Sequence, residues 1–303
     1  MRVHFRQIMC ATDFSDISGH AVSYGIALAG EFKAKLILCH VIDLTSASMY
    51  GEAALAVEEQ RTRMQADALE DLVRRMGDPP VEWEPVVAVG HAAQVITGIA
   101  GERGVDLVIS GSHGRSGLKA FLLGSVTQRL MRTLPCPLLV IRSPECGFVS
   151  SEGSRITLKN ILVGCDFSSD SDLAVQYGLS LAQEFQSQLH LVHVIEPPIY
   201  EDMLASPAGT DEAVRQDLRD ILREKLSSLI PEEAHTWCTP VPVLLAGQPH
   251  EELTKYAIVH DMNLIVLGVR GHGLVETLLV GSTTDRVLCR ALCPVLSVRP
   301  TEG

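Results

Sequence analysis

The chain has 303 residues, 46% hydrophobic and 20% charged, with 24 Gly and 15 Pro; that balance belongs to a folded protein of one large or two ordinary domains and excludes a disordered or fibrous one. Lys and Arg number 25 against 37 Asp and Glu, a formal charge of −12, so the overall field repels nucleic-acid backbones and anionic membranes. A local anion site remains compatible with this charge, because helix termini and glycine turns bind phosphate through backbone N–H groups.

The opening MRVHFRQIMCATDF lacks the apolar core of a secretory signal, and no later run reaches the ~18 apolar residues of a membrane span. Eight scattered cysteines (Cys10, Cys39, Cys136, Cys146, Cys165, Cys238, Cys289 and Cys293) include no CxxC pair. They read as buried thiols of a protein in a reducing cytoplasm. The apolar run 7–11 predicts a strand ending at Thr12-Asp13, and a helix starts near 15–18 with apolar residues at Ala21, Tyr24, Ile26, Ala27 and Leu28. KLILCHVI then reads as a buried strand, 56–76 as a charge-rich amphipathic helix, and VEWEPVVA as a strand. AQVITGIAGER is a helix, DLVISGS a second buried strand, SVTQRLMRT a helix and PLLVIR a final strand.

The same order then repeats. Residues 161–195 echo 8–42 at an offset of 153, pairing Asp13 with Asp166 and Val41 with Val194. Residues 268–299 echo 111–142 at an offset of 157, pairing Gly111 with Gly268. The four-residue difference must lie between Val41 and the matching turns at Gly90 and Gly247, and the irregular stretches 43–60 and 196–212 read as a loop of variable length. Two domains are expected, 1–146 and 155–303, joined by a polar linker over 147–154. Buried strands alternating with helices imply an α/β fold in each, a doubly wound parallel sheet of five strands.

In such sheets ligands bind beyond the carboxyl ends of the strands. There the first copy has Gly111-Ser112-His113-Gly114, nine residues, then Gly124-Ser125; the second has Gly268-Val269-Arg270-Gly271, nine residues, then Gly281-Ser282. Glycines let the backbone approach a ligand closely, and each serine opens a helix whose first N–H groups lack internal acceptors. This is what a polyphosphate requires. No Lys precedes either serine, so this is not a Walker A loop, and no GxGxxG follows either first strand. Asp13 and Asp166 end the first strands, where a carboxylate accepts hydrogen bonds from an adenine amino group or a ribose hydroxyl, or else starts a turn and caps the next helix.

With G-x2-G-x9-G-[ST], the strand-end Asp and CP-[LV] before the last strand, both halves resemble the ATP-binding branch of the universal stress proteins. The resemblance spans nearly the whole chain, as a tandem of two such domains. It implies an adenine nucleotide alpha hydrolase-like fold, with the two halves paired through their last strands as an intramolecular pseudo-dimer. It further implies that Asp13 and Val41 contact adenine and ribose, and that Gly111, Gly114, Gly124 and Ser125 surround the phosphates. Asp166, Val194, Gly268, Gly271, Gly281 and Ser282 take those roles in the second half. His113 and Arg270 share one position inside the turn, either to neutralise phosphate or as exposed loop residues; Thr127 and Thr284 bond phosphate or their own helix.

The cofactor implied is ATP, with Mg²⁺ or Mn²⁺ only as a companion of its phosphates. No HExxH, GxSxG or metal-spaced cluster is present, and His40 and His193 fall inside strands as core residues. The expected function is therefore an ATP-binding stress-response module of the cytoplasm, without dedicated catalytic machinery and open to homodimerisation of tandem chains. A slow ATPase or self-phosphorylating enzyme and a chaperone-like or ligand-carrying protein are the alternatives.

Overall fold

A computed structural model describes residues 2–43, 54–114, 123–142, 146–150, 155–196, 211–271 and 280–300. Much of the two expected variable loops, at 44–53 and 197–210, and linker residues 151–154 lie outside them. The described chain forms two compact units: one from His4–Pro144 and Val149–Ile156, the other from Thr157–Pro300, Glu145–Phe148 and Met1–Val3.

The first unit is a five-stranded parallel sheet of β1 (Gln7–Thr12), β2 (Lys35–Ile42), β3 (Trp83–Val89), β4 (Leu107–Gly111) and β5 (Leu138–Ile141), in the order β3-β2-β1-β4-β5. Its helices are α1 (Asp16–Phe32), α2 (Ala54–Met76), α3 (Ala92–Glu102) and α4 (Ser125–Thr133). The second unit repeats the order as β8-β7-β6-β9-β10, from β6 (Asn160–Gly164), β7 (Gln188–Ile195), β8 (Pro240–Ala246), β9 (Leu264–Gly268) and β10 (Val295–Val298). Helices α5 (Ser169–Phe185), α6 (Asp211–Ser228), α7 (Pro249–Val259) and α8 (Ser282–Arg290) complete it. The central strands are buried throughout or nearly so, which is why they read as unbroken apolar runs. No described helix is long and apolar enough to cross a membrane.

Helices α1 and α5 begin alike. Ser15 accepts from the Ser18 amide and Ser168 from the Ser171 amide, satisfying one otherwise orphaned donor in each first turn. Each helix then lays a glycine on the sheet: Gly25 against Cys10 and Leu36, Gly178 against Val163 and Leu189. Of the eight cysteines, Cys10, Cys39, Cys136, Cys165 and Cys293 are buried, whereas Cys146 is exposed and Cys238 and Cys289 are half-buried. Burial pushes the Cys39 and Cys293 thiols up to about 12, leaving them protonated and unreactive at neutral pH.

The length difference between the copies falls later than the irregular loops suggest. Buried Met76 of α2 matches buried Leu226 of α6 at an offset of 150, as do Arg75 and Lys225, each lying over the equivalent phenylalanine ring. The strand registers Leu36–Trp83 and Leu189–Pro240 put β3 and β8 at an offset of 157. The stretch from Leu226 to β8, which holds a short 3₁₀ turn, Glu232–Thr236, is therefore seven residues longer than its counterpart from Met76 to β3, and the stretch from β7 to Leu226 three residues shorter than that from β2 to Met76.

One cluster belongs to the second unit alone. His190 stands where the first copy has Ile37, its Nδ1 lies 2.8 Å from the Tyr256 hydroxyl, and Tyr256 stacks on His260 at 4.0 Å between ring centroids. Burial, and then the neighbouring His260, lowers the His190 pKa from 6.5; burial lowers that of His193 as well. The unfolded chain therefore takes up these protons at a higher pH than the folded chain does. Folded-state stability is complete above the unfolded value and falls as pH drops from there towards the lowered folded values. The thermal midpoint should decline by a few degrees between about pH 7.5 and 5.5, and His190→Ile should remove part of that decline. Melting curves across this range check it, and an identical slope in the variant rejects the assignment to His190.

Candidate functional site

In both units the strand order reverses beside the first strand, so the crevice at the carboxyl ends of β1 and β4, or of β6 and β9, is the topological switch point. At the end of β1, Asp13 Oδ1 accepts from the Ser15 amide at 3.1 Å and the Ser15 hydroxyl at 2.5 Å. The carboxylate thus shapes the turn and steadies the serine that caps α1. Its other oxygen, Oδ2, faces Gly114, where an added Cβ would overlap it. The turn-forming and ligand-facing readings of Asp13 are therefore compatible, one for each oxygen. Asp166 repeats this: Oδ1 accepts from Ser168 N at 3.0 Å and Ser168 Oγ at 2.5 Å, and a Cβ on Gly271 would lie 2.6 Å from Oδ2.

The glycine turn is tied to the sheet at both ends. Ser112 N donates to Ile141 O at 2.8 Å, and Gly124 N donates to Ser112 O at 2.7 Å. In the second unit Val269 N donates to Val298 O and Gly281 N to Val269 O, each at 2.8 Å. The Thr127 and Thr284 hydroxyls do not bond back to their own helices: each donates to the carbonyl at the strand end, Gly111 O or Gly268 O, at 2.7 Å. They pin the first turns of α4 and α8 to the strands, which aims the helix N-termini at the crevice. Gly124 and Gly281 are the N-caps, so the amides that open each helix have no intrahelical acceptor.

The structure brings Asp13, Val41, Gly111, His113, Gly114, Gly124 and Ser125 onto the wall of one open cavity of about 210 Å³. Ala92 and Ile96 of α3 supply part of its apolar side. His113 Nδ1 lies 2.9 Å from the Ser112 hydroxyl. In the second unit Val194 is buried on β7, and Gly268, Gly271, Gly281 and Ser282 occupy the places of their first-copy counterparts. Arg270 differs: its backbone N and Nε both donate to Asp170 Oδ2, at 3.0 and 3.3 Å. A larger cavity, about 570 Å³, lies between α5 and the 3₁₀ turn and contains none of these residues.

Sequence reasoning missed the aromatic residue that follows each strand-end carboxylate, Phe14 after Asp13 and Phe167 after Asp166. Phe14 and Phe167 hold φ of 65° and 61°, a left-handed conformation that is strained for a bulky residue and concentrates at functional turns. Each ring packs on a histidine, Phe14 on His40 at 4.4 Å and Phe167 on His193 at 4.6 Å. Those imidazoles donate from Nδ1 to Thr12 O and Cys165 O, both at 2.8 Å. A cation also lies over each ring, Arg75 over Phe14 and Lys225 over Phe167. The signal was present, since Phe and His recur at the offset of 153.

Two doubly wound α/β modules, each with a glycine turn and a helix N-terminus set against a strand-end carboxylate, define the class of protein. The model of the universal stress protein family matches residues 4–142 and again 157–299, and the chain belongs to that family. A universal stress protein of Bacillus subtilis is 32% identical over 147 residues, 46% of this chain and 99% of its own length. One from Methanocaldococcus jannaschii is 30% identical over 158 residues, 47% of this chain and 98% of its own. The crystal structure of an Archaeoglobus fulgidus universal stress protein aligns with 97% of this chain and 98% of its own at a TM-score of 0.68. At 20% identity, that last likeness speaks for the fold.

Proposed function

We propose that each unit binds an adenine nucleotide, ATP with Mg²⁺ or Mn²⁺ on its phosphates, and that the protein acts in the cytoplasm as a nucleotide-responsive regulatory module. The observation that carries this reading is the meeting of the strand-end carboxylate with the glycine turn. Asp13 and Asp166 are each oriented by their own serine and face a position that only glycine leaves open. The carboxylate would accept hydrogen bonds from the base or ribose. The amides at the start of α4 and α8 would receive phosphate oxygens, for which helix N-termini are suited. The titratable side chains lining the first cavity are Asp13, Cys39 and His113. Asp13 is engaged by Ser15 and the Cys39 thiol stays protonated, so the arrangement favours holding a nucleotide over activating water for attack on it.

Calorimetric titration of Mg-ATP into nucleotide-stripped full-length protein tests this. Two sites per chain are expected; Asp13→Ala removes one, Asp166→Ala the other, and the double variant both. Folded wild-type protein that takes up no ATP would overturn the reading.

A further inference from the structure

The two glycine turns are built alike but charged differently, and the difference lies in residues outside the shared motif. Asp170, the second residue of α5, stands where α1 has Ile17, and Arg270 stands where the first turn has His113. Asp170 is 3% exposed. A charge so buried requires a partner, and it has one in the Arg270 backbone amide and guanidinium. Helix α5 is pressed onto the strand end above it, since a Cβ on Gly268 would lie 2.7 Å from the Asp170 Cβ and backbone. The carboxylate is thereby fixed under the glycine turn, and one amide of that turn is committed to it.

The first turn of the following helix carries a second difference. That of α4 has no acidic residue, whereas that of α8 contains Asp285 in place of Gln128. Asp285 Oδ1 is buried and has no hydrogen-bond partner among the described residues. Its negative charge competes with any anion for the positive end of the helix.

We infer that the second glycine turn is a low-charge site. The Asp170–Arg270 pair sets it against polyphosphates, so that the first unit holds a nucleoside triphosphate while the second favours a nucleotide with fewer phosphates. This rests on the nucleotide reading above. Arg270 cannot turn to a phosphate without abandoning a buried carboxylate, and the paired carboxylate cancels the attraction its guanidinium would otherwise exert on each added phosphate charge. The inequality of the sites follows from one exchanged pair, Ile17 with His113 against Asp170 with Arg270.

The test is calorimetry on the full-length chain with Mg-ATP and with AMP. The Asp166→Ala variant leaves only the first site and Asp13→Ala only the second. ATP should bind the first site at least about tenfold more tightly than the second, while AMP discriminates between them far less. Introducing Asp170→Ile into the Asp13→Ala chain should raise ATP affinity about tenfold and leave AMP affinity within about threefold. Asp170→Asn keeps the side chain's shape while removing its charge, and should shift ATP in the same direction if the isoleucine variant fails to fold. Equal ATP affinity at the two sites, or ATP affinity unmoved by a folded Asp170 variant, would overturn the inference while leaving the nucleotide reading intact. Wild-type protein that binds neither nucleotide would reject that reading, and this one with it.

Discussion

Gly178→Ala is expected to destabilise the second unit by about 1–3 kcal/mol, the usual cost of overpacking a filled core. The added methyl would overlap Val163 Cγ2 and lie 3.2 Å from Leu189 Cδ1. Both neighbours belong to strands and are 0% exposed, so neither has room to retreat. Alanine favours a helix over glycine by up to about 1 kcal/mol, which offsets part of the loss without reversing it. Gly25→Ala should act in the same way on the first unit, where the methyl would overlap Cys10 Sγ and meet Leu36 Cδ1 at 3.0 Å. The built-in control is Gly98→Ala in α3, where nothing lies within 4 Å of the added carbon; there the helical preference acts alone and stability should rise by about 0.5–1 kcal/mol. Urea unfolding followed by circular dichroism distinguishes the three, with each unit's transition analysed separately. A Gly178→Ala protein as stable as wild type would mean that α5 does not sit this close to its sheet.

Gly114→Ala should separate binding from stability. The new Cβ would overlap Asp13 Oδ2, the far end of a side chain that can swing aside, so the fold tolerates the change. Swinging aside, however, breaks the bonds from Ser15 that orient the carboxylate and fills the space the ligand would enter. ATP affinity at the first site should fall at least about tenfold, equivalent to the loss of one hydrogen bond to a charged group. The thermal midpoint should stay within about 2 °C of wild type. Gly271→Ala should do the same to the second site only, because its Cβ lies 2.6 Å from Asp166 Oδ2. Titration of ATP into each variant reads the outcome, and wild-type affinity in Gly114→Ala would remove Asp13 from the proposed nucleotide site.

Much of this architecture is legible from local patterns. Strands buried on both faces must be continuously apolar, so β1, β2, β4 and their second-copy equivalents stand out as runs. Ser15 and Ser168 mark helix starts through a hydrogen bond that spans only three residues. The charge-rich helix begins two residues earlier than its periodicity suggests, at Ala54, and ends at Met76 as read. The glycine spacing and the strand-end carboxylates are visible because a repeat within one chain shows which spacings both copies keep. That the two motifs meet in space follows from the strand order, which places β1 beside β4.

Other features depend on partners far away in the chain. Thr127 has a hydroxyl that three different acceptors would satisfy, and only the packing of α4 beside β4 selects Gly111 O. Gly25 and Gly178 look like poor helix residues until the sheet beneath them is in place. Arg270 and Asp170 are 100 positions apart, and nothing local couples an arginine in a glycine turn to the second residue of a helix. Periodicity and spacing along the chain determined the elements, the repeat and the residues at the strand ends, because those signals arise from the backbone's own geometry. The division of the Asp13 oxygens, the threonine anchors, the tight helix–sheet contacts and the unequal charge of the two glycine turns were decided by tertiary structure alone, because burial and hydrogen bonding depend on which surfaces meet.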